Sequence, residues 1–565
     1  MNENDNNRNR RYLEDGGVDL RVAETYGKES KATNRSALSD PYVKAFRWAS
    51  DRIKEEGLIA FITNSAFVDS LAADGMRKVL TGEFDGIYIL DLGGNVRRNP
   101  KLSGTTHNVF GIQVGVSITL LIRRSGERQQ RSCNVYYTRT DEFWTRCDKY
   151  RYLDSMTAFV GIPWRLISSG ASDTWLRTGS DEFTGFVPIH ADGEHTLFGT
   201  ISNGVQTNRD AWVYNFSREA LIQNVERLGQ FYNRQVQEVQ RAQKQKVSPK
   251  LDFDDTKIKW SSRLRENAEA GIFFEFDKHA VRAALYRPFT VETLYFDHVL
   301  VHRPGQFPVI LPRPSSSNLH IWLKVGGDWP IFCLATSLLV DQLPQGGSQC
   351  FPFYTYNEDG SDRRENIPDW ALNEFRTHYG DSNITKWDIF HYVYAVLHHP
   401  EYRERYAANL KRELPRIPYA SEFGALAEAG RKLADLHVNY EQQLEYPLER
   451  VEKGQLNWCV EKMRLSKDEA TLVYNDFLTL KGIPPESHEY RLGNRSALGW
   501  VIDQYQVSTD KRSGIVNDPN RVDDPEYILR LIGQVITVSL ETMKIVKALP
   551  PLVIAQKEQV TEASS

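Results

Sequence analysis

The sequence is short of cysteine, of long apolar runs and of charge of one sign. Its five cysteines (Cys133, Cys147, Cys333, Cys350 and Cys459) form no CxxC pair. That spacing excludes a disulfide framework or a cysteine-rich zinc module, and it points to a reducing cytoplasm. Lys and Arg number 70 against 74 Asp and Glu, for a net charge of -4. The chain is therefore no polycation, and any nucleic acid would have to meet a local surface. The most apolar late segment, 527–549, is interrupted by Arg530, Glu541, Lys544 and Lys547. It reads as an amphipathic helix, so no membrane partner is expected. The polar start, Met1-Asn-Glu-Asn-Asp-Asn-Asn-Arg8, is not a signal peptide. GxxxxGKS/T, GxGxxG and HExxH are all missing. Without them no phosphate loop, dinucleotide fingerprint or zinc-protease helix is present, and neither a catalytic residue nor a metal is assigned.

What is present suggests an α/β start. A helix fits 41–56, with Pro41 near its beginning, Gly57 past its end, and Val43, Phe46, Ala49 and Ile53 on one face. A buried strand fits 58–62, directly before Thr63-Asn64-Ser65. A second helix fits 70–84 (Met76, Val79, Leu80 and Phe84 on one stripe), and further strands fit 87–91 and 116–122. Strand, helix and strand with continuous apolar strands predict a buried, largely parallel sheet. This reads as the second half of a nucleotide-type α/β domain without its first half. The loop 93–115 carries Arg97, Arg98, Lys101 and His107, and its length suits a functional or disordered segment. From about 125 to 370, aromatics, Pro and Gly predict irregular α+β structure, with 235–250 a polar helix or linker. A mostly helical region follows from 384 to 450, then a mixed segment and two helices.

Several constellations invite chemistry. Pro368-Asp369 with Glu374-Phe375-Arg376 looks like a nuclease core, but arginine stands where lysine is needed. His398 and His399 are adjacent, so on a helix they point in different directions and read as a helix end before Pro400. The densest polar–aromatic segment is 203–216. Gln206, Asn208 and Arg209 there can make two-point hydrogen bonds to purine edges, and Thr207 suits a phosphate. Trp212 completes the group. The alternative is a buried turn whose side chains satisfy backbone groups. Arg287, Arg303 and Arg313, set among core strands, are further candidates for phosphate or base contact, or else surface ion pairs.

Taken in order, these segments resemble the C-terminal part of Type ISP restriction–modification enzymes. They are Asp40-Pro-Tyr-Val-Lys-Ala-Phe-Arg-Trp-Ala-Ser50, Gly57-Leu-Ile-Ala-Phe-Ile-Thr-Asn64, 203–216, Tyr286-Arg-Pro-Phe289 and Gln349-Cys-Phe-Pro-Phe353. Tyr392-Val-Tyr-Ala-Val-Leu-His-His-Pro400, Asn494-Arg-Ser-Ala497 and Ser513-Gly-Ile-Val-Asn-Asp-Pro519 follow. The resemblance implies a partial Rossmann-like sheet, the back half of an adenine-N6 methyltransferase domain, over 1–125. It implies an irregular α+β target-recognition domain over 126–383 with a helical continuation over 384–550, and a disordered tail over 551–565. Double-stranded DNA is the implied partner, with Gln206, Thr207, Asn208, Arg209, Trp212, Arg287, Arg303 and Arg313 as contacts. Asn64 and Phe67 are implied at the rim of the methyltransferase pocket.

The family's cofactor loop and Asn-Pro-Pro-Tyr motif are missing. The only Pro-Pro pairs, in Ile483-Pro-Pro-Glu486 and Leu549-Pro-Pro-Leu552, lack the polar first and aromatic fourth residues. Adenine N6 is a weak nucleophile that must be held in line with the methyl group, and those residues hold it. S-adenosylmethionine is thus expected only if a front half is supplied, for instance by a separate polypeptide. The chain is expected to be a truncated or split product, inactive as a methyltransferase on its own. A DNA-binding module without catalysis and a degenerate remnant are the alternatives.

Overall fold

The computed structural model describes residues 17–554, apart from 31, 33–34, 97–101, 103–105, 126–132, 157, 168–174, 177–178, 192–194, 327–329 and 343–346. Arg97, Arg98 and Lys101, the polar stretch at the start and residues 555–565 therefore lie outside the described residues. The chain divides into two compact units, Met1–Thr178 and Gly179–Ser565.

The first unit is built on five strands: β1 (Gly57–Asn64), β2 (Gly86–Gly93), β3 (Val116–Arg123), β4 (Asn134–Arg139) and β5 (Arg165–Ile167), in the order β1-β3-β2-β4-β5. The expectation of a largely parallel sheet is corrected here. β1–β3, β3–β2 and β4–β5 pair antiparallel, and only β2–β4 is parallel. The reason is that β3 inserts between β1 and β2. Those two still run in one direction, joined by the helix Asp74–Glu83, as the strand–helix–strand reading requires. The domain boundary at 125 also moves, because β4 pairs along β2 from Gly86↔Asn134 to Asp91↔Arg139 and β5 then adds to β4.

The two helices of this unit form where their apolar spacing puts them. Pro41–Ser50 buries Val43 and Phe46, and Asp74–Glu83 buries Met76 and Leu80. These side chains pack with Ile59, Phe67, Ile87, Ile89 and Leu121. β2 is buried along most of its length, whereas β1 is not. Ile59 faces the core, but Leu58 is 61% and Ile62 57% exposed, and among the described strands β1 pairs with β3 alone.

The second unit is mixed α/β with several small sheets. The 27-residue helix Arg218–Lys244, started by Ser217 Oγ accepting from the Ala220 amide, buries Leu221, Val225, Leu228, Tyr232, Val236 and Val239. Residues 235–244 are thus its last turns and no linker. Beside it lie the antiparallel strands Val281–Arg287 and Thr290–Tyr295. A second core joins the sheet strands His320–Lys324 and Gln349–Pro352 to the helices Lys386–His398 and Phe423–Val438. The recognition and helical regions expected on either side of 384 therefore share one core. The two helices meet so closely that a Cβ on Gly430 would lie 1.8 Å from His391 O. Tyr527–Lys547 is a helix that buries most of its residues, Leu531, Ile532, Val535 and Val538 among them. No helix among the described residues is long and apolar enough to cross a membrane. The first residues of the tail expected over 551–565 are packed, since Leu552 is buried and Ile554 bridges to Ala420.

Candidate functional site

Residues 203–216 cross the second unit as a clamped loop. Asn203 pairs with Gln349, and Val205 N–H donates to Val340 O at 2.7 Å. Gly204 between them passes so near the neighbouring chain that a Cβ would sit 2.4 Å from Asp341 O. Gln206 and Arg303 exchange both backbone hydrogen bonds, at 2.9 and 2.8 Å. Asn208 takes the left-handed conformation (φ 59°), which asparagine tolerates better than most residues. The chain then enters the short helix Asp210–Val213, and Tyr214–Asn215 pairs with Thr290–Tyr295.

The expectation that Arg209 meets DNA gives way to an interior role, and Trp212 is largely buried too, although it lines the cavity described below. Arg209 is 1% exposed. Its guanidinium donates to Lys259 O at 3.1 Å, to Ser261 Oγ at 2.7 Å and to Leu300 O. Burial pushes its pKa down to about 10. Each of its three nitrogens thus donates to one of two other segments and holds the loop to them. Trp212 is also 1% exposed, set in the core with Arg227 over its ring at 4.9 Å. Thr207 is buried as well, donating to Asp210 and accepting from the Arg209 amide.

Gln206 and Asn208 remain partly exposed and border a cavity of about 630 Å³. Gln206 Nε2 donates to Asn208 Oδ1 at 3.0 Å. Thr207 and Trp212 also line the cavity, as do Asp210, Tyr214 and Tyr286 from the segments 203–216 and 286–289; Glu292 beside them, and Gln504, Gln506, Asp510 and Arg512 opposite with Asn517, were not picked out as site residues from the sequence. The one signal for Asn517 was its place in the segment 513–519. Asn517 is the hinge of this wall. Its Oδ1 accepts from the Phe216 amide at 2.8 Å, and its Nδ2 donates to Glu292 Oε2 at 3.1 Å. Desolvation raises the Glu292 carboxyl to about 7. Tyr286 donates its hydroxyl to Asp210 at 3.3 Å, while the buried Tyr214 hydroxyl has no partner among the described residues. With Asp255, Asp341 and Asp503 against Lys259 and Arg512, carboxylates outnumber cations. Such a wall repels a phosphate and offers acceptors to amino groups.

The arginines do not converge on this cavity. Arg287 is bound to Asp341 at 2.8 Å and lies over the Tyr286 ring at 3.9 Å, so it braces the wall from behind. Arg303 is exposed beside Gln206. Arg313 is exposed at a different cavity, with Arg282 and Glu358. In the first unit, Asn64 Oδ1 accepts from the Ala66 amide at 3.0 Å and caps the turn after β1. Phe67 is fully buried against Phe46 and Trp175, which corrects its expected place on a pocket rim. Among the described residues no cluster of His, Cys, Asp and Glu has the geometry of a metal site.

Comparison with known proteins bears on these features. The family model of the Type ISP C-terminal specificity domain matches residues 196–531, which include the clamped loop and the whole cavity wall. No curated relative matches the chain. Among solved structures, the chain is similar to a nuclease-deletion mutant of the Type ISP restriction-modification enzyme LlaGI in complex with a DNA substrate mimic. That match has 33% identity, a TM-score of 0.79, and covers 95% of this chain and 50% of that one. It is similar also to the ATP-dependent Type ISP restriction-modification enzyme LlaBIII bound to DNA (31% identity, TM-score 0.82, 95% of this chain and 36% of that one). A third is DrdV in a cryo-EM complex with DNA (35% identity, TM-score 0.81, 98% of this chain and 56% of that one). The chain thus spans between 36% and 56% of the length of these structures. With the family model covering more than half of its residues, the chain belongs to the Type ISP C-terminal specificity domain family.

Proposed function

We propose that this chain recognises a DNA sequence for a Type ISP restriction–modification enzyme, and that the cavity bordered by Gln206 and Asn208 is its base-reading surface. The observation that carries this reading is the pair of amide side chains held over a 630 Å³ cavity by a loop whose backbone is fixed on both sides. Amides read adenine edges and carboxylates accept from cytosine N4. Gln206, Asn208, Gln504, Gln506, Asp210 and Asp510 supply both kinds of group. The acidic wall makes base edges, and not phosphates, the fitting ligand. Exposed cations outside it, Arg303 and Arg313 first, would follow the backbone. The DNA-bound state of the three similar structures supports the partner.

Fluorescence anisotropy with a randomised duplex pool, at 50 and 200 mM salt, tests this. Enrichment of one short motif is expected. Gln206→Ala together with Asn208→Gly, a pair that respects the left-handed backbone, is expected to relax one or two positions of the motif and cost about 1–3 kcal/mol. Binding without sequence preference at either salt would overturn the reading.

The first unit we read as the part of an adenine-N6 methyltransferase sheet that adjoins its cofactor half. Among the described strands β1 pairs on one side only, as a strand that accepts another would, and Leu58 and Ile62 on one of its faces are exposed. In this reading S-adenosylmethionine is held by the cofactor half, and Asn64 and Phe67 keep structural roles beside it. Equilibrium dialysis of S-adenosylmethionine against this chain is expected to show no saturable binding.

A further inference from the structure

The helix Arg218–Lys244 turns its apolar side chains inward and leaves the opposite face to solvent. On that face arginine recurs every seven residues, at Arg227, Arg234 and Arg241. Seven residues are close to two helical turns, so the three lie nearly in line. Lys244 continues the row, and Lys246 and Lys250 extend it past the helix end. All six side chains are exposed, and none makes an ion pair among the described residues. Between Glu238 and Asp252 stand four of these cations and no carboxylate, in a chain whose net charge is -4. Glu238 itself accepts from Gln235 Nε2 at 2.8 Å.

Other long helices of this unit pair their cations. Arg431 and Lys432 of Phe423–Val438 both meet Glu428. In Tyr527–Lys547, Arg530 meets Asp524, Lys544 meets Glu541 and Lys547 meets Glu489. The helix dipole accounts for cations in a last turn only, and Arg227 and Arg234 lie before it. The row is also held still. Tyr232 donates its hydroxyl to Ile272 O at 2.9 Å, and Asn233 exchanges two hydrogen bonds with the Phe274 backbone, both 2.8 Å. Phe274 packs so tightly that a Cβ on Gly229 would lie 2.1 Å from its ring. Arg227 lies over the ring of Trp212, which lines the 630 Å³ cavity, and Arg234 lies over Phe231. The row thus begins beside the cavity wall. From Arg227 to Lys244 it extends roughly 26 Å, about the length of seven or eight base pairs.

We propose that this row follows the phosphate backbone of duplex DNA flanking the sequence read in the cavity, an inference that rests on DNA being the partner. The cations take phosphate oxygens in charge-assisted hydrogen bonds, and Gln230 and Gln237 on the same face donate between them. An acidic cavity reads bases but repels phosphates, so the affinity for the backbone has to come from elsewhere. A rigid row of unanswered cations supplies it without regard to sequence.

The salt dependence of binding by the full chain tests this. Arg234→Gln, Arg241→Gln and Lys244→Gln are combined, and Arg227 is left on Trp212. Fluorescence anisotropy then follows duplexes with long flanks, one bearing the enriched motif and one of random sequence. Between about 50 and 200 mM salt, the slope of log affinity against log salt is expected to be smaller by about 2–3 in the triple variant, on both duplexes. Affinity for the motif duplex is expected to fall about tenfold at the lower salt, with the same motif enriched from a pool. Arg234→Lys with Arg241→Lys keeps the charge and is expected to keep the slope. A smaller slope in a chain that enriches no motif would support the row and overturn the base-reading cavity. An unchanged slope in the triple variant would overturn the row whatever the motif, and leave it to an acidic protein surface or to solvent. An equal loss in the charge-keeping pair would overturn it too.

Discussion

Removing the Arg209 side chain leaves Lys259 O, Leu300 O and Ser261 Oγ without their shared donor, inside a packed core. Arg209→Ala is expected to lower the stability of the second unit by about 3 kcal/mol, read as a shift in urea midpoint. Arg209→Lys is expected to recover little, since one ammonium cannot span three acceptors. Unchanged stability with lost sequence preference would return Arg209 to the DNA surface. Glu292 gives a pH signature. Its carboxyl titrates near 7 in the native state because burial disfavours the charge, and near 4.5 when the chain unfolds. Between those values the unfolded chain has released the proton and the native chain still holds it. Stability therefore falls as pH rises through that window, by up to about 3 kcal/mol, and levels off above it. Glu292→Gln is expected to flatten that slope in unfolding curves taken from pH 4 to 8. The sequence marked Gln206, Asn208 and Arg209 alike, because all three side chains have the right chemistry. Only the three-dimensional clamp separates the two that border the cavity from the one that fastens them. Glu292 gave no signal, since a carboxylate in an alternating strand looks solvated until Asn517 is placed against it.

Among the elements, the crossing of Lys386–His398 and Phe423–Val438 depends on a missing side chain. Gly430→Ala puts a methyl group where His391 O already sits. This substitution would normally strengthen a helix, yet here it is expected to cost about 3 kcal/mol by forcing the pair apart. Circular dichroism during urea unfolding measures it, and an unchanged or higher midpoint would refute the close packing. The long helices were readable because apolar spacing repeats over several turns. The capping box at Thr385 and Asp388 agrees with the helical start near 384. The sheet directions were not readable. β1, β2 and β3 look alike as apolar strands, and no local pattern announces that the third inserts between the first two. Two-residue strands such as Ser202–Asn203 and Val516–Asn517 are set by distant partners and leave no period to find.

For the whole molecule, β1 is one exposed apolar surface, with Leu58 and Ile62 on the same face. Leu58→Lys with Ile62→Lys is expected to reduce concentration-dependent self-association in sedimentation velocity and leave the thermal midpoint unchanged. Unaltered association would mean that the surface is not sticky. The division at 178 was legible only in part, because the change in composition near 125 precedes the last two strands of the first sheet. The clamped loop has a consequence for timing. Its partners are Gln349 for Asn203, Val340 for Val205, Leu300 for Arg209 and Val516 for Asn215. A ribosome must finish more than 300 residues beyond Asn215, through Asn517, before that wall can close. A nascent chain therefore carries Gln206 and Asn208 long before it can present them, and the cavity reports that synthesis has passed Asn517.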